Sequence, residues 1–174
     1  MEIKVNKITG KELLRLAASY TIGKDSKLSL KKGYKCEHSP IRTQIFIVEM
    51  INIPTFVSVH FVRHNVGVTH FVTSNRDDRG GTGTEDRNTE VKHMMIINAQ
   101  SLIAMARKRL CFKSHRATVN VMRGIKKVIT DIDHALFERL VPECIYRGLC
   151  PEIKSCGHID SSTYEHQLKE YKDD

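Results

Sequence analysis

Residues 43–63 read TQIFIVEMINIPTFVSVHFVR, and this stretch decides the fold. Its Ile, Val and Phe residues suit a half-buried, pleated surface, and Pro54 divides it in two. The run predicts a strand, a turn, and then either a second strand or a buried helix, because a short apolar segment satisfies both periods. On the N-terminal side, Thr9 and Glu12 have capping-box spacing ahead of Leu13, Leu14, Leu16 and Ala17, which predicts a short helix beginning near Lys11. The lysine-rich segment from Lys24 to Lys35, with Gly33 near its end, reads as a solvated loop or strand edge.

On the C-terminal side, residues 77–90 (DDRGGTGTEDRNTE) contain three glycines and no apolar residue, and so predict a mobile loop. The loop lacks the Gly-Lys-Ser/Thr ending of a triphosphate-cradling loop. Asn98 is placed to cap a helix through AQSLIAMARKRL, with Leu102, Met105 and Ala106 on one face. Val119, Met122, Ile125, Val128 and Ile129 predict a second helix over Thr118–Thr130, and a third from Ala135 to Leu140 stops before Pro142. The polar tail from about residue 158 is expected to fray.

With 174 residues, 40% of them hydrophobic and 28% charged, the chain has the composition of one globular domain. It contains no apolar run of the roughly 18 residues that a membrane span needs, and MEIKVNKITGKELL lacks the apolar centre of a signal peptide. A soluble, cytoplasmic protein is expected. The net charge of +8 favours polyanionic ligands: nucleic acid, anionic lipid, or small phosphorylated molecules. An aromatic content of 6% without tryptophan argues against base-stacking platforms.

Five cysteines imply reduced thiols rather than a disulfide framework. Cys144, Cys150 and Cys156 are spaced six residues apart, with His158 just beyond, and together with Cys111 they invite comparison with a thiolate metal site. The close pairs of structural zinc sites are missing, so small packed thiols are the expectation, and no metal ligand is assigned.

His60, Arg63, His64, His70, Arg76 and Arg79 crowd one basic segment. Such residues at the end of a buried element meet phosphate or polarise a carbonyl, and they also serve in ordinary basic turns. Arg109 lies eleven residues after Asn98, almost three helical turns, and therefore on the same face. It reads either as a ligand arginine or as one lying along the apolar stripe. Arg107 and Lys108 are expected to face solvent.

EHSPIRTQIFIVEMINIPTFVSVHFVRHN, residues 37–65, followed in order by NAQSLIAMARKRL, residues 98–110, resembles the flavin-dependent thymidylate synthases. In that family an S/T-P-x-E segment precedes an apolar strand and helix that end in the signature RHRxxSxNExSxRY, and a NARSL segment follows. The resemblance implies an α/β (α+β) fold in which a small antiparallel sheet is packed with helices. It also implies reductive methylation of dUMP to dTMP by an FAD enzyme that uses methylenetetrahydrofolate and NADPH, in a homotetramer with active sites between subunits.

Carried over by motif, Ser39, Arg63, His64, Asn98 and Gln100 fall on cofactor positions. Arg109 falls on a nucleotide-contacting arginine and His60 on a residue bordering the base, and these two are the catalytic candidates. Thr73, Ser74 and Arg76 fall at or near the end of the signature and, with Arg109, form the candidate substrate set. Asn65, Val68, His70 and Phe71 depart from the signature, and Arg79 or Arg87 is the candidate for a further family arginine. The alternatives are another flavin-dependent modification of a pyrimidine nucleotide, or a basic nucleic-acid-binding protein without enzymatic activity.

Overall fold

The computed structural model describes residues 1–81, 83 and 86–173. The decisive stretch becomes strand β2 (Ile45–Pro54), flanked in the sheet by β1 (Glu2–Lys7) and β4 (Glu90–Asn98), with β3 (Val68–Val72) beyond β4. All three pairings are antiparallel. Phe46, Val48 and Met50 alternate inward on β2, opposite Ile97, Met95 and His93 of β4, so one face of the central pair is wholly core. The register shifts between Met50 and Ile53, where Asn52 takes a left-handed φ of 57°. Asparagine tolerates that conformation, and the extra residue passes the inward position from Met50 to Ile53.

Pro54 then ends the strand and serves as N-cap of helix α3 (Thr55–Val62), where its missing N–H costs nothing. The second half of the stretch is therefore helix rather than strand. Helices α1 (Lys11–Ile22), α2 (Leu30–Lys35), α4 (Ala99–Arg109) and α5 (Arg116–Ile132) enclose the core together with the short helices α6 (His134–Phe137) and α7 (Glu143–Arg147). Leu102, Ile103, Met105 and Ala106 of α4 and Val121, Met122, Ile125 and Ile129 of α5 are buried in the main cluster. α5 crosses β1 so closely that a Cβ on Gly124 would fall 2.4 Å from Ile3 Cδ1. The result is an α+β fold: a small antiparallel four-stranded sheet packed with helices.

Several expectations change. Thr9 does not cap α1: its hydroxyl donates to Thr43 O at 2.7 Å and accepts from Ile45 N–H at 2.9 Å, and Gly10 is the N-cap. Binding the start of β2 satisfies more backbone than a cap would. The segment taken as loop or strand edge contains α2, capped by Ser29, with Gly33 and Tyr34 buried; its lysines had masked two core positions. The third predicted helix is shorter, α6 ending at Phe137. The tail forms α8 (Ser162–Asp173), which buries Tyr164 against Val141 and Ile145. The predicted mobile loop over 77–90 includes residues 82, 84 and 85, which lie outside the described residues; Asp77–Arg79 forms a 3-10 turn and β4 begins at Glu90.

Asp133 ties the N-terminal strand to the helices. One carboxylate oxygen receives Lys7 Nζ at 2.7 Å and the Tyr34 hydroxyl at 2.8 Å, and the other caps α6 through Leu136 N–H at 3.2 Å. Burial, then the carboxylate itself, pushes the Tyr34 hydroxyl far above its ordinary range, so it remains a donor at every accessible pH. Asp133→Ala is expected to lower stability by about 3 to 5 kcal/mol, because it strands a buried ammonium, and Tyr34→Phe by about 1 kcal/mol. Urea denaturation at neutral pH measures both, and equal losses would refute the ranking.

Candidate functional site

The end of α3 and the start of α4 converge. His60 lies in the last turn of α3, Arg63 is its C-cap and His64 follows directly. α4 starts at Asn98, whose side-chain oxygen accepts from Ser101 N–H at 2.9 Å, as its sequence position predicts. Gly67 holds the connection close: its φ is 69°, and a Cβ there would meet Asn98 Nδ2 and Ser101 Oγ at 2.3 Å.

Between these ends lies an open groove of about 600 Å3 lined by Arg42, Arg63, His64, Asn65, Asn98 and Gln100, with Val66, Gly67, Ser101 and Ala104. Among the described residues no acidic side chain lines it. Arg42 Nε donates to Gln100 Oε1 at 2.5 Å. Exposed Arg63 meets no carboxylate among the described residues.

Arg109, at the far end of α4, returns to the end of α3. Its Nε–H donates to His64 Nε2 at 2.9 Å and its Nη2 to the His60 carbonyl at 2.6 Å. These contacts use two of the five guanidinium N–H groups and leave three. Burial, then Arg63, draws Arg109 below its ordinary range. The same cation acts on its neighbours: burial first, then Arg109, His70 and Lys108, holds His64 down to about 4. His64 is therefore neutral at pH 7, as its acceptor role requires. His60 is lowered too, by burial first and then by Arg109, Arg63, His115 and Arg87. Its Nδ1 lies 2.7 Å from Thr118 Oγ1.

A chain of histidines supports this end of the site. His70 Nε2 lies 2.7 Å from the His64 carbonyl, an obligate acceptor, so this nitrogen donates. His70 Nδ1 then accepts from His93 Nε2–H at 2.9 Å, and His93 Nδ1 accepts from the Ser58 hydroxyl at 3.0 Å. Burial, then His70, holds His93 down to about 4, consistent with a neutral link.

The structure thus gathers Arg63, His64, Asn98 and Gln100 around one groove, with Arg109 and His60 adjoining. Ser39 is exposed on the 3-10 turn Ser39–Thr43 that also carries Arg42, but it does not line the groove. Thr73, Ser74 and Arg76 follow the other end of β3: Val68 pairs with Ile97 beside the groove, whereas Val72 pairs with His93. Five residues of strand set these three apart by about 17 Å. Arg76 is engaged by Asp78, with Nε–Oδ1 at 2.8 Å and Nη2–Oδ2 at 2.6 Å.

Arg107 does not face solvent as expected; it pairs with Glu37 and lies 3.3 Å from the Tyr146 ring centroid. Arg87 packs over Phe56 beside His115, which lies 6.4 Å from His60 between ring centroids. Arg42 and His115 were not singled out in the sequence. Among the described residues, no group of three or more His, Cys, Asp or Glu is arranged to hold a metal ion.

This small antiparallel sheet packed with helices is similar in fold to solved flavin-dependent thymidylate synthases. Two solved structures of thymidylate synthase X from Helicobacter pylori, both with FAD and dUMP, share it. One is 12% identical over 81% of this chain and 99% of its own, with a TM-score of 0.65; the other is 11% identical over 81% and 100%, with a TM-score of 0.69. No family model matches the sequence, and no curated protein sequence does.

Depressed histidines leave a pH signature. His93, only 1% exposed, binds its proton near pH 6.5 when unfolded and near pH 4 when folded. Its contribution is complete above 6.5 and lost as pH falls from 6.5 toward 4, an effect of about 3 kcal/mol. The wild type is expected to lose about that much more stability than His93→Gln between pH 7.5 and 4.5 in urea titrations. Parallel losses would show that His93 does not carry the effect.

Proposed function

We propose that the chain is a flavin-dependent enzyme of the thymidylate synthase type, reductively methylating dUMP to dTMP with FAD as cofactor, methylenetetrahydrofolate as carbon donor and NADPH as reductant. The observation that carries this reading is the groove between α3 and α4, which presents Arg42 and Arg63 and, among the described residues, no acidic side chain. Arginines in that setting favour a phosphorylated ligand, since a guanidinium matches the geometry of phosphate oxygens. The fold likeness to structures that contain FAD supports a flavin among such ligands. Arg63, His64, Asn98 and Gln100 would hold the cofactor, with Ser39 nearby on the turn that carries Arg42. Bound and reduced, the flavin supplies the hydride, and the protein supplies binding, orientation and electrostatic tuning.

Arg109 directs its three remaining N–H groups at the nucleotide phosphate or base, while its bonds to His64 and His60 fix its plane. His60, neutral at pH 7, keeps Nε2 for a hydrogen bond at the pyrimidine edge. Thr73, Ser74 and Arg76 follow the end of β3 that points away from the groove. They serve a site completed by a second copy, which accords with a homotetramer. Phe71 and Ile96, on the same outward face of β3 and β4, are 49% and 37% exposed, apolar side chains suited to cover by that copy.

A yellow protein with flavin absorbance is expected on purification. Arg63→Ala and His64→Ala should each weaken FAD binding at least severalfold in fluorescence titrations, and unchanged affinity in both would remove the groove from the flavin. Arg109→Ala should weaken dUMP binding to flavin-loaded protein roughly ten- to a hundredfold, with Arg109→Lys a poor rescue because a point charge cannot replace the planar fork. Calorimetry across nucleoside monophosphates reads this, with circular dichroism confirming that the variants are folded. A colourless protein that binds none of them and instead shifts DNA would favour the nucleic-acid-binding alternative.

A further inference from the structure

Among the described residues the His60 side chain makes one hydrogen bond, and that bond decides what its other nitrogen offers. Nδ1 lies 2.7 Å from Thr118 Oγ1. Thr118 is fully buried in the first turn of α5, with no complete helical turn before it to lend its hydroxyl a carbonyl. His60 Nδ1 is the sole partner of that hydroxyl among the described residues. Were Nδ1–H the donor, the threonine proton would be sealed in the interior without an acceptor, a costly arrangement. The reverse assignment strands nothing: the hydroxyl donates to Nδ1, and the His60 proton sits on Nε2. Burial first, then Arg109, Arg63, His115 and Arg87, keeps the ring uncharged at pH 7. It therefore carries a single proton, and Thr118 determines which nitrogen holds it.

The polar groups around this ring are donors. Arg109 keeps three N–H groups beyond those given to His64 Nε2 and the His60 carbonyl. The His115 ring, 6.4 Å from that of His60 between centroids, accepts Ala117 N–H on Nδ1 at 3.2 Å, so its own proton also lies on Nε2. Arg63 and Arg87 complete the charged or titratable groups that act on His60, and no carboxylate is among them. Phe56 packs edge-on to both imidazoles, at centroid distances of 5.9 and 4.7 Å, and helps to hold their planes. An oxygen acceptor suits this end of the site, whereas an N–H donor placed here meets like hydrogens.

We propose that Thr118 is a positioning residue that holds His60 in the Nε2–H form, and that His60 so held selects uracil over cytosine in the nucleotide bound beside Arg109. The selectivity rests on the nucleotide reading given above; the positioning does not. The two bases share the oxygen at position 2 and differ at position 4, where uracil has a carbonyl and cytosine an amine. Nε2–H donates to the carbonyl. Against the amine it is a donor facing a donor, and polar groups left unmatched in a site are rejected more strongly than a missing methylene. Thr118 lies outside residues 37–65 and 98–110, the two segments on which the family resemblance rests, so no motif carries it. Without its hydroxyl the His60 ring is free to turn over and to exchange tautomers.

Nitrogen NMR of the isotope-labelled full chain at pH 7 tests the positioning. His60 should show a protonated Nε2 and an unprotonated, hydrogen-bonded Nδ1. In Thr118→Val the Nδ1 resonance should move toward that of an imidazole nitrogen without a donor, and Thr118→Ser should restore it. Calorimetry on the flavin-loaded chain tests the selectivity: dUMP should bind at least about tenfold more tightly than dCMP in the wild type and in Thr118→Ser, and that ratio should fall at least about threefold in Thr118→Val. A proton on Nδ1, or ring nitrogens that do not respond to Thr118→Val, overturns the positioning, and equal binding of the two nucleotides overturns the selectivity. A wild type that binds neither overturns the nucleotide reading and the selectivity with it, while the nitrogen spectrum still decides the role of Thr118. The wild-type spectrum needs no variant, so it decides equally if Thr118→Val fails to fold.

Discussion

The guanidinium of Arg109 is the constraint on which the site depends. A half-buried cation without a carboxylate must be satisfied by neutral acceptors, and it finds two, the His60 carbonyl and His64 Nε2, both at the end of α3. This fixes the junction of α3 and α4 and requires that His64 stay uncharged, because an imidazolium would turn its acceptor into a donor and add a like charge. The depressed His64 and the partly desolvated Arg109 are two sides of one arrangement. A carboxylate in this place would hold the helices equally well, but it would cancel the positive field of the groove.

That junction is positioned by the sheet. β2 feeds α3 through Pro54, and β4 feeds α4 through Asn98, and the two strands are neighbours. Helices that leave adjacent antiparallel strands begin at opposite ends of the sheet, yet here the end of α3 meets the start of α4. The eight residues of α3 span about 12 Å, which carries its C-terminus back along the sheet toward Asn98. The bulge at Asn52 lets Ile53 stay buried as the strand turns into that helix. The histidine chain from Ser58 through His93 and His70 to the His64 carbonyl then braces α3 against both β4 and β3.

Much of this was legible because period and punctuation are local. Pro54 marked the strand end, Asn98 marked a helix start, and the helical spacing of Val119, Met122 and Ile125 marked α5. Where a residue had two competing partners, sequence reading failed: Thr9 has capping-box spacing and bonds β2 instead, and Arg107 sits among charged residues yet is consumed by Glu37 and Tyr146. The buried Tyr34 was hidden among lysines, and its partner Asp133 is 99 residues away, a distance no local pattern bridges. At the site, Arg63, His64, Asn98 and Gln100 of the set carried by motif line one groove, whereas Ser39 does not. Arg42 carries no motif signal of its own.

The departures from the family signature have physical roles here. His70, standing at an asparagine position, is a link in the histidine chain, and Val68 packs against the main core. Asn65 lines the groove, while Phe71, at the glutamate position, points outward on β3 and is half-exposed. These differences fall mainly on β3 and its approach, whereas the positions that match the family motifs include Arg63 and Arg109, which set the charge of the groove and its rim, and the uncharged His64 and Asn98 beside them. On the proposed function, these differences leave the basic groove in place and change the wall along which a ligand's reacting end would lie. Chemistry is the more exposed of the two functions, because phosphate recognition needs donors of the right charge, whereas reaction needs particular groups placed at particular atoms.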